Sequence, residues 1–220
     1  MKILVFAPHP DDEILGMGGT MAKMVRNGHD VTSCIVTKGY PPEFDYHLIE
    51  QGRQEAKEAA KVIGCNEPIF LDIPSLRMNT MTTYEMNSPI QRVVDSIRPD
   101  VVYIPHHGDI HIEHKLINNA VMVATRPKID SAVKAIYEYE VLSETGWDTP
   151  DAGNAFIPNV YEDISCYLYI KKNALECYRS QLYQYPGARS TKAVEALAVY
   201  RGCTIGVCAA EAFTVAREIR

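Results

Sequence analysis

The stretch Phe6-Ala7-Pro8-His9-Pro10-Asp11-Asp12-Glu13 decides how this chain folds, because it joins an apolar run to a helical pattern. Ahead of it, Lys2-Ile3-Leu4-Val5-Phe6 is short, apolar and β-branched, as a buried strand is. Behind it, Ile14 to Val25 has the pattern of a helix. The polar groups thus sit on a strand-to-helix turn at the carboxyl end of a buried strand, where open α/β sheets place their ligands. One imidazole and three carboxylates fall within five residues, a concentration of negative charge that calls for a cation. His9 and Asp12, three apart, are close enough to bind one divalent metal, while Asp11 points elsewhere and is free to serve as a base. Pro8 and Pro10 restrict the backbone around His9. The competing reading is an ordinary acidic helix start, with Asp11 or Asp12 as N-cap and Glu13 favoured by the helix dipole.

Outward from this turn the chain alternates strand and helix. Strands are predicted at Asp30 to Thr37, Pro68 to Ile73, Val101 to Pro105 and Ala135 to Glu140, with helices between them near His47 to Ile63, Tyr84 to Ile97 and Glu113 to Thr125. That alternation predicts an α/β, Rossmann-like, doubly wound and mostly parallel sheet with helices on both faces. In the order 3-2-1-4-5 the winding reverses between strands one and four, so the loops after them meet. The second of those loops, His106-His107-Gly108-Asp109-Ile110-His111-Ile112-Glu113-His114, holds four of the chain's seven histidines. His111 and His114, spaced i, i+3, share a face on the first helical turn, so that one can bind a metal while the other faces a substrate. His106 and His107 are expected to shape or support the loop and not to act as ligands. Gly16, Gly18 and Gly19 follow a helix start and do not spell GxGxxG, so helix packing explains them better than a dinucleotide.

Composition narrows the function classes. The chain of 220 residues suffices for one domain, 1–220, with a full core, and no repeat or low-complexity linker divides it. Its 22 basic and 28 acidic residues give a formal charge of −6 with no long Lys/Arg run, which argues against nucleic acid as a partner. The start at Met1-Lys2 lacks the form of a secretory signal, and no apolar run reaches membrane-spanning length, so a cytoplasmic location is expected. Six cysteines without a CxxC pair are expected to be reduced and structural.

Pro8-His9-Pro10-Asp11-Asp12-Glu13 and His111-Ile112-Glu113-His114 together resemble the LmbE-like, PIG-L-type zinc-dependent N-acetylglucosaminyl deacetylases. The resemblance extends to Gly16 through Gly19, Arg53-Gln54-Glu55-Ala56, Ile63-Gly64 and Ala210-Glu211-Ala212-Phe213. It implies a hydrolase that removes an N-acetyl or N-acyl group from a small-molecule amino-sugar conjugate. It further implies Zn2+ held by His9, Asp12 and His114, although two histidines and a carboxylate also suit Fe2+ or another divalent metal. Asp11 would be the general base of metal-assisted amide hydrolysis. His111, as an imidazolium, would steady the oxyanion or protonate the leaving amine, with Glu113 orienting it through a hydrogen bond. Arg53 would contact substrate oxygens, although an ion pair with Glu50 or Glu55 on its own helix competes for it. Members are often oligomeric, so a homo-oligomer is implied as well. Two departures stand out: members usually read His-Pro-Asp-His in the second motif, and commonly carry tyrosine where this chain has Ala209.

Two other functions fit the same residues: a metal-dependent hydrolase of a different amide or ester bond, and a non-catalytic Rossmann-like binding module. A dinuclear phosphoesterase needs more ligands than one triad, and a nucleotide module needs the missing glycine fingerprint. The last third is less regular. A long loop at 143–153 carries Trp147, expected to pack on its own protein more often than on a sugar. Helices are predicted near Lys171 to Leu182 and Ser190 to Arg201, with Cys203 to Val207 and Glu211 to Val215 as segments that close the sheet.

Overall fold

The computed structural model describes residues 1–129 and 132–219. The strands are β1 (Lys2–Ala7), β2 (Asp30–Lys38), β3 (Ile69–Pro74), β4 (Val101–Pro105), β5 (Ala135–Tyr139), β6 (Val160–Asp163) and β7 (Ala210–Glu218). The α-helices are α1 (Asp12–Arg26), α2 (Tyr46–Ile63), α3 (Thr83–Ile97), α4 (Ile112–Ala124), α5 (Leu168–Leu175) and α6 (Thr191–Cys203). They form one sheet of order β3-β2-β1-β4-β5-β7-β6, in which the first five are parallel and β7 runs antiparallel to β5 and β6. β1 and β4 are neighbours, as the doubly wound reading requires.

β1 is apolar throughout because both of its faces are covered. Ile3 and Val5 pack with residues of α1, α2 and α5, whereas Leu4 and Phe6 pack with residues of α3 and α4. Helix ends follow local chemistry: Asp45 accepts from the His47 N–H, Thr82 and Glu85 form a capping box, and Gly64 ends α2 at φ 85°.

α1 is broken at Met17, where φ is −147°. The break frees backbone groups inside the protein, and two charged side chains take them up. The Glu211 carboxylate on β7 accepts from Gly19 N at 3.0 Å and Thr20 N at 2.6 Å, while Lys171 of α5 donates to Leu15 O at 2.8 Å and to Glu211 Oε1 at 2.5 Å. Glu211 therefore acts as an internal N-cap for the second half of the helix. The glycines let this broken helix pack closely. A Cβ at Gly16 would lie 2.3 Å from the Tyr139 ring, and one at Gly19 would lie 2.7 Å from Ile164.

The end of the chain departs from expectation. Cys203 to Val207 is no strand: α6 runs through Cys203, and the chain then turns, with Val207 N bonded to Gly202 O. β7 alone, beginning at Ala210, enters the sheet between β5 and β6. α5 stops at Leu175, not near Leu182, and the next turn carries Tyr178 into the core. Ala209 is buried with Ile164 and Ala198.

Candidate active site

The loops after β1 and β4 converge. His9 Nδ1 and His114 Nε2 each lie 3.2 Å from Asp12 Oδ2, and the three side chains offer donor atoms all within 4.8 Å of one another. Each histidine is held at its far nitrogen by a carboxylate: His9 Nε2 by Glu113 Oε2 at 2.7 Å, His114 Nδ1 by Asp109 Oδ2 at 2.8 Å. That carboxylate–histidine arrangement fixes the ring and the tautomer of a metal ligand. Thr145 of the loop after β5 donates to the other Asp109 oxygen at 2.6 Å. His9, His111 and Glu113 also form a compact group, but Glu113 is already satisfied by Ser75 Oγ, Leu76 N and His9.

Asp11 occupies the N-cap position of α1 without capping it. Its φ is 111°, a left-handed conformation rare outside glycine, and its side chain makes no cap hydrogen bond. An ordinary acidic helix start would show that bond. Asp11 is 1% exposed, and neither of its oxygens has a hydrogen-bond partner; Arg189 Nε stands 3.6 Å away. Asp12 Oδ1 is likewise buried without a hydrogen bond, and His114 Nε2 makes none beyond its 3.2 Å approach to Asp12 Oδ2. Each such atom costs about 1–3 kcal/mol if left unmatched. These unmatched atoms on Asp11, Asp12 and His114, with a donor set of two imidazoles and a carboxylate all within 4.8 Å, fit a divalent cation and its water.

The electrostatics agree. Burial opposes charge on His9, but hydrogen bonds to Asp12 and Glu113 outweigh it and push it up to about 9. Burial likewise opposes charge on His114, which the Asp12 charge and the Asp109 hydrogen bond push up to about 10. Burial also works against the Asp12 carboxylate, yet His114 and His9 hold it well below the usual range. Asp11 goes the other way: burial and then the Asp12 charge raise it well above an ordinary carboxyl, against the pull of Arg189. Two adjacent carboxyls are thus driven apart, Asp12 toward its ionised form and Asp11 toward its protonated one.

Four expectations are corrected here. The Glu113 side chain does not orient His111; its carboxylate holds His9, Ser75 and Leu76, because the helix start turns it toward β3 and β1. His111 is not held as an imidazolium: burial, followed by His9 and His114, lowers it to about 4. As the N-cap of α4 its Nδ1 accepts from Glu113 N at 3.2 Å, which leaves Nε2 as the N–H donor. Arg53 pairs with neither Glu50 nor Glu55; its guanidinium bonds Asp72 on β3 and lies 4.1 Å from the Phe70 ring centroid. Trp147 is 60% exposed and not packed away.

A cleft of about 310 Å³ opens over His9 and His111, walled by Phe44, Leu48, Phe70 and Leu76 and edged by Arg53 and Arg189. Arg189 had no local signal in the sequence, since it reaches the site from the segment between α5 and α6, also 3.6 Å from Glu144. Asp109 did have one, as an acidic residue five before His114 in the same loop.

The sheet and this cluster at its switch point define an α/β protein with the donor set of a mononuclear metal centre. The chain belongs to PIG-L, the family described as GlcNAc-PI de-N-acetylase, whose profile matches residues 4–125. It is 28% identical over 186 residues to the Escherichia coli protein "Uncharacterized deacetylase YaiS", covering 81% of this chain and 90% of that one. It is 27% identical over 195 residues to diacetylchitobiose deacetylase of Thermococcus kodakarensis, covering 82% of this chain and 70% of that one. Among solved structures, 4-carboxy-2-hydroxymuconate hydratase of Pseudomonas putida matches at a TM-score of 0.79 with 18% identity over 98% of this chain and 95% of that one. The fold is thus shared with an enzyme of another reaction class, and the reaction has to be argued from the site. No helix among the described residues is long and apolar enough to cross a membrane.

Proposed function

We propose that this chain is a zinc-dependent N-deacetylase acting on a small amino-sugar conjugate, with the metal held by His9, Asp12 and His114. A cation bound there would activate a water and polarise the substrate carbonyl. The observation that carries the reading is Asp11: buried, without a hydrogen bond, and beside a donor triad that opens into a cleft. Its raised proton affinity suits a general base that takes a proton from the attacking water and returns it to the leaving amine. Arg189, 3.6 Å from Asp11 Oδ2, pulls in the other direction and favours the carboxylate form. His111, which lines the cleft and keeps its N–H on Nε2, supplies a neutral donor to the developing oxyanion, a contact whose loss typically costs about 3 kcal/mol. Glu113 and Asp109 position the two ligating histidines. Arg53 retains donors not engaged by Asp72 and faces the cleft, in position for sugar oxygens. Six free cysteines suit a reducing compartment and support a cytoplasmic placement.

The test is release of acetate and free amine from a panel of N-acetylglucosamine conjugates by zinc-loaded protein, with the bound metal identified by mass spectrometry. Asp11→Asn is expected to lower the rate by about 10²–10⁴-fold with full zinc content. Native turnover by that variant, or no acetate release from any N-acetyl sugar, overturns the assignment.

A further inference from the structure

We propose that His106, His107 and Glu138 form a second site, for a divalent transition-metal cation that fastens the 149–154 loop to the sheet. β4 and β5 run parallel with Ile104 opposite Glu138 and Pro105 opposite Tyr139, and His106 N is bonded to Tyr139 O, so the two residues that follow β4 come just past Glu138 on the neighbouring strand. His106 Nδ1 lies 2.9 Å and His107 Nδ1 2.8 Å from the same oxygen, Glu138 Oε2. The far nitrogens are each spoken for: His106 Nε2 is 3.1 Å from Asn154 O, and His107 Nε2 is 3.1 Å from Gly153 O. A carbonyl only accepts, so both Nε2 atoms carry the N–H, and in a neutral imidazole the lone pair then sits on Nδ1. Two nitrogen lone pairs and a carboxylate converge, with one donor atom from each residue all within 4.8 Å.

Lone pairs facing one another at such distances need something positive between them. Pinning the outer N–H of an imidazole on a backbone carbonyl is also how ligating histidines are held. The carboxylate is placed in advance, since Asn118 Nδ2 donates to Glu138 Oε1 at 2.8 Å and Thr214 Oγ1 to Oε2 at 3.3 Å. Gly108 makes room for the cradle: a Cβ there would lie 2.5 Å from Asn154 O and 2.7 Å from His106 Nε2. His106 and Glu138 are buried, but the His107 side chain is 54% exposed and gives an ion a way in.

Two protons are the rival occupants. Two imidazoliums around one carboxylate carry the same net charge as two neutral imidazoles, a carboxylate and a divalent cation, so the surroundings accept either. The cation replaces two N–H hydrogen bonds with coordinate bonds and displaces two protons. None of these residues belongs to the centre around Asp12, yet the sites adjoin. Asp109, which holds His114, donates its N–H to His106 O at 3.2 Å.

Zinc is the probe, added to chelator-stripped full-length protein at pH 7. The wild type is expected to hold two equivalents, and His107→Ala, altered at an exposed side chain, one. In His114→Ala, which disables the other centre, calorimetry should show one equivalent binding with proton release. Adding His107→Ala should weaken that binding by more than about 100-fold, since loss of even an outer-shell partner costs about 10–100-fold. His9→Ala serves as a second background should His114→Ala fold poorly. An unchanged zinc count in His107→Ala, or none bound by His114→Ala, overturns the proposal. If His114→Ala holds as much zinc as the wild type and His107→Ala holds none, this second site stands and the metal centre at Asp12 falls.

Discussion

Replacing Glu113 with glutamine tests how the metal centre is held. In the structure one Glu113 oxygen accepts from Leu76 N at 2.5 Å and the other from His9 Nε2 at 2.7 Å. A carboxamide has a single oxygen to offer. The backbone N–H of Leu76, which can only donate, takes it, and this turns the NH₂ toward His9. Nε2 must then accept, so the imidazole proton moves to Nδ1, the nitrogen that lies 3.2 Å from Asp12 Oδ2. A protonated Nδ1 cannot ligate a cation. The expected loss is about 10–100-fold in zinc affinity, or about 1.4–2.7 kcal/mol, with the upper end favoured because the tautomer itself is wrong. Competition against a chelator of known affinity measures it, followed by turnover at saturating zinc. If zinc affinity stays at the wild-type value and only turnover falls, Glu113 serves His111, and the reasoning from the structure is refuted.

The remaining predictions concern the same framework. Glu211→Gln leaves the Lys171 ammonium buried without its countercharge and should cost about 3–5 kcal/mol in urea unfolding, whereas Lys171→Met with Glu211→Gln should recover most of that loss; a double variant no more stable than the single one would sink the account of the broken helix. Zinc affinity should climb with pH between about 6.5 and 9, by up to about 100-fold per unit, because His9 and His114 both hold protons there that the metal must displace. The sign for the metal-free protein is opposite: groups raised to about 9 and about 10 contribute stability present below about 6.5, so its melting temperature should fall as pH rises through 9. A flat zinc-affinity profile, or metal-free protein that gains stability with alkali, would contradict the protonation states assigned here.

The parallel sheet was legible in the chain because its elements are local. Phe6 to Glu13 marks a strand end and a helix start, each later strand is an apolar run bounded by turn residues, and the order of elements restricts how they wind. The meeting of His9 and Asp12 with His114 followed from that order, since neighbouring strands bring their following loops together whatever the side chains do. Nothing local distinguishes which carboxylate will face which imidazole. Glu113 stands two residues from His111 and over a hundred from His9, yet the tertiary fold pairs it with His9. Arg189 reaches Asp11 from a segment without periodicity, and Lys171 and Glu211 close the break in α1 from α5 and β7. Such pairings depend on distances of a few tenths of an ångström between side chains far apart in the chain. Periodicity and turn chemistry act over a few residues and carry no information about them; close packing of the whole sheet with its helices sets them.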